Sequence, residues 1–191
     1  MAEQTNKPLS YVDLDDPESV WVDKGGRSLG FFCQKKPVRV DHALIQELKN
    51  ASASIDNKNV RLCLHESADS LFHEMIILER RGNYYRPHKH LAKGESHHII
   101  EGTLAIFIFE QDGVLVDSCV LEPQGNLIYR VGADMYHTII PLTDLIIFHE
   151  SKPGPFLRRE DSVFPDWAPD GGDPGEVAEF VAKLIQQLGI Q

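Results

Sequence analysis

Two histidines, His88 and His90, stand one residue apart, and Glu95 follows five positions after the second. On extended backbone side chains alternate between faces, so His88 and His90 point the same way. The stretch from His90 to Glu95 is long enough to cross a turn and return a carboxylate to the same spot. Imidazole nitrogens with one carboxylate make a borderline donor set, suited to Fe, Mn, Co, Ni, Cu or Zn. The absence of nearby thiolates argues against a closed structural zinc, so positions are expected to stay open for water or substrate. Downstream, Tyr136-His137-Thr138 places another histidine in a strand-like segment after a polar turn, where it is positioned to supply a fourth ligand.

Seven of the nine histidines fall between His65 and His137, a clustering that favours metal or proton chemistry. Strict alternation sets His97 on the face of Glu95, whereas a bulge would exchange it with His98. His149 shares a strand face with Leu145 and Ile147, and is either a core histidine or an acid or base beside the metal. Tyr136, beside the fourth ligand, is a further pocket candidate. Arg86, with Lys89, Lys93 and Arg130, is placed either to give the pocket a positive rim or merely to keep the surface soluble. His65 and His73 read as structural residues of apolar strands, and His42 as a helix-surface residue.

The elements that must position these groups are mostly strands. Between Val60 and Glu150 the chain runs through VRLCLH, LFHEMIILE, ESHHIIE, TLAIFIF, VLVDSCVL, LIYRV, YHTII and DLIIFHE, parted by turn signals at Arg81-Gly82-Asn83, Gly102 and Asp112-Gly113. The last of these is a two-residue hairpin signal. Many short strands without intervening helices predict a sandwich or barrel. Leu44, Ile45, Leu48 and Ala51 form a helical stripe after a capping Asp41. A second stripe, Val177 to Leu188, follows Asp173 and Pro174 and ends at Gly189. It is expected to cover the barrel or a second subunit. Residues 1–40 are expected to form an arm that packs on the domain or a neighbour, 41–170 the domain with its leading helix, and 171–191 the C-terminal helix.

A chain of 191 residues with 42% hydrophobic content suits one compact domain, and hence one site. A net charge of −10 disfavours nucleic acid, because phosphate binding needs clustered Lys and Arg. The first thirty residues contain no unbroken apolar run, so neither signal peptide nor membrane anchor is expected. Cys33, Cys63 and Cys119 are odd in number and far apart, which fits no disulfide framework; a cytoplasmic protein is expected.

The pattern GxxxxxHxHxxxxExxxxxxG, matched by Gly82, His88, His90, Glu95 and Gly102, resembles the first cupin motif. The second motif, GxxxxxPxGxxHxxxN, is kept at His137; Gly132, Asp134 and Pro141 stand where Pro, Gly and Asn are usual, and Gly125 lies one residue early. Over about residues 41–170, RLCLHESADSLFHEMIILERRGNYYRPHKH, HTIIPL, FHESKPGPF and FPDWAP resemble the WbuC family of cupin-fold metalloproteins, often associated with surface-polysaccharide gene clusters. The resemblance implies an all-β cupin barrel (a double-stranded β-helix or jelly roll). It also implies one divalent transition metal ion (Fe, Zn, Mn or Ni) on His88, His90, Glu95 and His137, and a homodimer. It carries no settled reaction. Three readings follow: a metal-dependent enzyme acting on a small polar or sugar-derived molecule, with His149, His98 or Tyr136 moving the proton; a cupin that binds or senses such a ligand without changing it; or a structural role in which the barrel dimerises through its arm and edge strands with the metal as stabiliser.

Overall fold

The computed structural model describes residues 8–26, 28–157 and 161–189. The chain is mostly β, with ten strands and two helices among these residues. Eight strands fall where the alternating segments predict them: β3 (Val60–Cys63), β4 (Phe72–Arg80), β5 (Glu95–Glu101), β6 (Leu104–Phe109), β7 (Leu115–Leu121), β8 (Ile128–Val131), β9 (Tyr136–Pro141) and β10 (Leu145–Pro153). Two more, β1 (Val20–Asp23) and β2 (Leu29–Cys33), lie in the segment read as an arm. They pair as an antiparallel hairpin, and β2 runs parallel to β3, so this part of the chain extends the main sheet. Its apolar patches explain the docking: Val12, Leu14, Val20 and Phe31 are buried in the same cluster as Leu62 and Leu78. Residues 1–7 of the expected arm lie outside the described residues.

The main sheet has the order β1-β2-β3-β4-β10-β5-β8, and a smaller one has the order β7-β6-β9. Between their inner faces lies a core built from Ile99, Leu104, Ile106, Ile108, Leu121, Val131, Ile146 and Phe148. β6 is buried at every position, because its outer face is covered as well. Such a strand reads as a continuous apolar run, as AIFIF does.

Helix α1 (His42–Ser54) begins where the Asp41 carboxylate accepts the Leu44 N–H at 3.1 Å, and lays Leu44, Ile45 and Leu48 on the outer face of the main sheet. Helix α2 (Pro174–Gln187) is capped by Asp173 and brings Phe180, Val181, Leu184 and Ile185 onto Phe107, Phe109, Tyr136 and Ile140 of the small sheet. Its apolar stripe therefore covers the chain's own sheet. Gly189, at φ 63°, follows the end of this helix, as expected of a glycine there.

The β6–β7 hairpin is wider than its Asp-Gly signal suggests. Glu110 N–H donates to Val114 O at 2.9 Å across three intervening residues, and Gly113 takes φ 93°. The Trp167 ring lies where a Cβ on Gly113 would sit, 2.7 Å away, so a longer loop accommodates the indole.

Candidate metal centre

The segment carrying His88 and His90 belongs to no long strand, yet it is held extended from both sides. His88 exchanges backbone hydrogen bonds with His137 at 3.0 and 2.9 Å, and Lys89 exchanges them with Val163 at 3.0 and 2.9 Å. Next, Asp134 N–H donates to His90 O at 2.8 Å. Asp134 adopts φ 60°, the left-handed conformation for which the second motif ordinarily uses glycine. This turn delivers His137 to the start of β9, beside His88. Glu95, the first residue of β5, reaches in from the main sheet.

The four side chains come together, with one nitrogen or oxygen from each lying within 4.8 Å of all the others. His137 Nε2 is 2.7 Å from Glu95 Oε1, and His90 Nε2 is 3.3 Å from Oε2. Neither buried nitrogen finds a partner with hydrogen-bond geometry. Each of the three rings is instead held from its other nitrogen: His88 Nδ1 by Arg86 O at 3.1 Å, His137 Nδ1 by Met135 O at 3.0 Å, and His90 Nδ1 by Asp161 O. In the neutral ring, a carbonyl fixes the proton on Nδ1 and leaves the Nε2 lone pair free, the arrangement metal-binding histidines ordinarily show. Buried nitrogens without partners, around a carboxylate and without competing thiolates, suit a divalent transition metal ion.

Charges around the cluster are finely set. Burial works against ionisation of Glu95, but Lys152, His137 and His90 outweigh it and hold the carboxyl well below its usual range. Burial, reinforced by His137, pushes His88 down to about 3, so its imidazole stays neutral. His90 is raised, because contact with Glu95 overcomes the cost of burial.

Of the other sequence candidates, only His97 faces this centre. It is 1% exposed, with Nε2 3.5 Å from Glu95 Oε1 and 3.8 Å from Glu150 Oε2. Strand β5 keeps strict alternation there, so His98 turns to the opposite face, where it pairs with His149 across β10. His149 does share a face with Ile147, but that face is the outer one, and its ring meets Glu74 at 3.5 Å. Tyr136 likewise points away from His137, into the layer under α2, against Trp167 and below the Lys89 ammonium. Neither His98, His149 nor Tyr136 is therefore placed to move a proton at the cluster. Arg86 serves the site through its carbonyl; its guanidinium stacks near Phe164 and donates to Pro165 O. Lys89 pairs with Asp134, and Arg130 lies at the surface against Ser96.

Three contributors were not anticipated. Glu150 and Lys152 share the inner face of β10 with Phe148, and Lys152 Nζ sits 2.9 Å from Glu150 and 3.5 Å from Glu95. Burial opposes the Lys152 charge, but Glu150 and Glu95 more than offset it and raise its pKa. Asp161, 5% exposed, pairs with Lys93 and accepts from Leu157 N–H at 3.2 Å while its carbonyl holds His90. The alternation Phe148, Glu150, Lys152 was a readable signal: two charges on the face of a core phenylalanine need a partner inside.

Two clefts, of about 530 and 790 Å³, run along α2 and not at the histidine cluster. Arg86 and Phe180 line both, and residues of the outer face of the small sheet line the larger, so neither holds the groups with chemistry.

A family model described as a domain of unknown function (DUF6016) matches residues 40–121. No curated protein matches the chain. Among solved structures, it is similar to CapF, described as a capsular polysaccharide assembling protein from Staphylococcus aureus, at 14% identity and TM-score 0.48, over 55% of this chain and 31% of that one. It is also similar to oxalate decarboxylase from Bacillus subtilis, at 19% identity and TM-score 0.36, over 43% of this chain and 21% of that one. A structure described as DMSP lyases RdDddP and RnDddQII matches at 20% identity and TM-score 0.39, over 50% of this chain and 44% of that one. The chain thus spans less than half the length of each. Among the described residues, no helix is long and apolar enough to cross a membrane.

Proposed function

We propose that this chain is a cupin-type metal-dependent enzyme that holds one divalent transition metal ion on His88, His90, Glu95 and His137 and acts on a small polar or sugar-derived molecule. The observation that carries the reading is the shared orientation of the three histidines. Each gives its Nδ1 to a backbone carbonyl, His90 and His137 turn Nε2 toward Glu95, and a ring nitrogen of His88 lies in the same cluster. Three rings so fixed before any ion arrives are preorganised ligands, which lowers the cost of binding.

When bound, such an ion supplies Lewis acidity toward a carbonyl or hydroxyl oxygen or, as iron, a place for dioxygen. The chain's own residues would do the rest. Glu95 and the histidines orient the ligand, Phe148 and Ile108 form the apolar floor of the barrel, and His97 and Glu150 are the polar groups close enough to hold or pass a proton. The likeness of residues 41–170 to WbuC supports a sugar-derived ligand of surface-polysaccharide metabolism.

The test is elemental analysis of protein purified without added metal or affinity tag, beside His88→Ala and His137→Ala. One equivalent of a transition metal in the parent, lost from both variants, is expected. A parent that holds none even after reconstitution overturns the site. If metal-loaded protein returns candidate sugar acids unchanged after long incubation, the centre binds its ligand without transforming it.

A further inference from the structure

We propose that Lys152 is the anion-recognising residue of this pocket, and that the ligand is a small carboxylate that brings a second oxygen to the metal, as a 2-hydroxy or 2-oxo acid does. The inference rests on the metal-centre reading above and goes beyond it by naming the ligand's charge and the residue that reads it.

Lysine is among the side chains least often buried, and only pairing makes it tolerable inside. Lys152 enters the barrel from the inner face of β10, with its side chain 16% exposed. Its Nζ is 2.9 Å from Glu150 Oε1 and 3.5 Å from Glu95 Oε2. A structural ion pair with Glu150 would be complete by itself and would need no place beside a ligand carboxylate. An ammonium has three donors, and Glu150 and Glu95 account for two of them.

The charge balance points the same way. Between the sheets, Glu95 and Glu150 each bring one negative charge and Lys152 one positive, Glu79 is protonated below about pH 7, and Lys93 and Asp161 neutralise each other at the edge. With neutral imidazoles, a divalent cation leaves the pocket with one net positive charge. Buried charge without a counter-charge is costly, so a monoanion completes the site where a neutral polyol does not. Because Lys152 already touches a ligand oxygen of Glu95, a carboxylate held by its ammonium stands next to the metal and can present its neighbouring oxygen there. A phosphate monoester, with nearly two charges, would overshoot the balance.

The experiment uses full-length protein loaded with one equivalent of Co(II), verified by elemental analysis, and titrated with glycolate, ethylene glycol and inorganic phosphate. Binding is read by calorimetry and by the Co(II) absorption spectrum. Parent protein should bind glycolate in preference to the other two. Lys152→Met should keep its cobalt and lose glycolate affinity by roughly tenfold to a hundredfold, the range for a hydrogen bond to a charged group, with Lys152→Arg recovering part of it. Glycolate binding at parental strength by cobalt-loaded Lys152→Met overturns the proposal. If that variant does not fold, the parent still decides: equal or tighter binding of ethylene glycol or phosphate, or no binding of glycolate, overturns it. Failure of the parent to take up cobalt is a different result and counts against the metal centre itself.

Discussion

The Nδ1 of His90 is held by the backbone carbonyl of Asp161, a residue 71 positions further along the chain. The same residue's carboxylate pairs with Lys93, so one aspartate ties the return segment after β10 to both sides of the ligand loop. Asp161→Ala should free that segment and let the His90 ring turn. Metal affinity should fall about 10- to 100-fold, the usual cost of losing a partner of a ligand, with the melting temperature of the metal-free protein lowered by only a few degrees. Chelator competition measures the first and thermal unfolding the second. An unchanged affinity would mean that the carbonyl at position 161 keeps its hold on His90 without the Lys93 pair.

His97 and His98 are adjacent, yet β5 sends them to opposite faces. His97→Ala should weaken metal binding and stability, because it leaves Glu95 and Glu150 facing each other across a hole. His98→Ala should stay within about 0.5 kcal/mol of the parent in urea unfolding, as surface changes do. The reverse ranking would show that a bulge shifts the strand in solution.

How much of this could be read beforehand differs by residue. The spacing of His88, His90 and Glu95 is local, so alternation and one turn suffice to bring them together, and His137 follows from its place in a strand-like segment after a polar turn. Strands β3 to β10 were legible for the same reason, since each alternates or is uniformly apolar. The strands of the arm were not legible, because β2 is defined by a parallel partner, β3, that lies beyond an entire helix. Glu150 and Lys152 carry no motif of their own, and only the period of β10 gives the inner face to them and the outer face to His149. Asp161 acts through its main chain as well as its carboxylate, and no side-chain pattern announces a carbonyl.

Glu79 lies on β4, 5% exposed, with Oε2 lacking a hydrogen-bond partner. Burial pushes its carboxyl up to about 7, and Glu150 adds to the effect against a hydrogen bond from Tyr85. In the unfolded chain a glutamate titrates near 4.3. Between these values the folded protein holds a proton that the unfolded one has released. The stability is therefore intact below about pH 4.3 and declines as pH rises through 7. Glu79→Gln should remove this slope and raise stability at pH 8 relative to pH 5 by on the order of 2–3 kcal/mol. Urea unfolding at the two pH values checks it, and an unchanged slope would place the titrating group elsewhere.

Metal uptake should also depend on pH, with the opposite sign. The charged form of His90 is favoured by Glu95 despite burial, so its pKa in the metal-free protein is raised. His88 is neutral down to about 3, because burial and its neighbour His137 disfavour its charge. Of these two ligands, His90 is the one whose raised pKa keeps on it a proton that metal must displace. Below the raised pKa of His90, affinity should fall by at least about tenfold for each pH unit, as expected when its proton leaves with every ion bound. Zinc titrations between pH 5.5 and 8, corrected for buffer protonation, measure that slope. A slope of two protons would show that a second histidine is charged in the metal-free protein, and a flat profile would remove Glu95 as the group that holds the His90 proton.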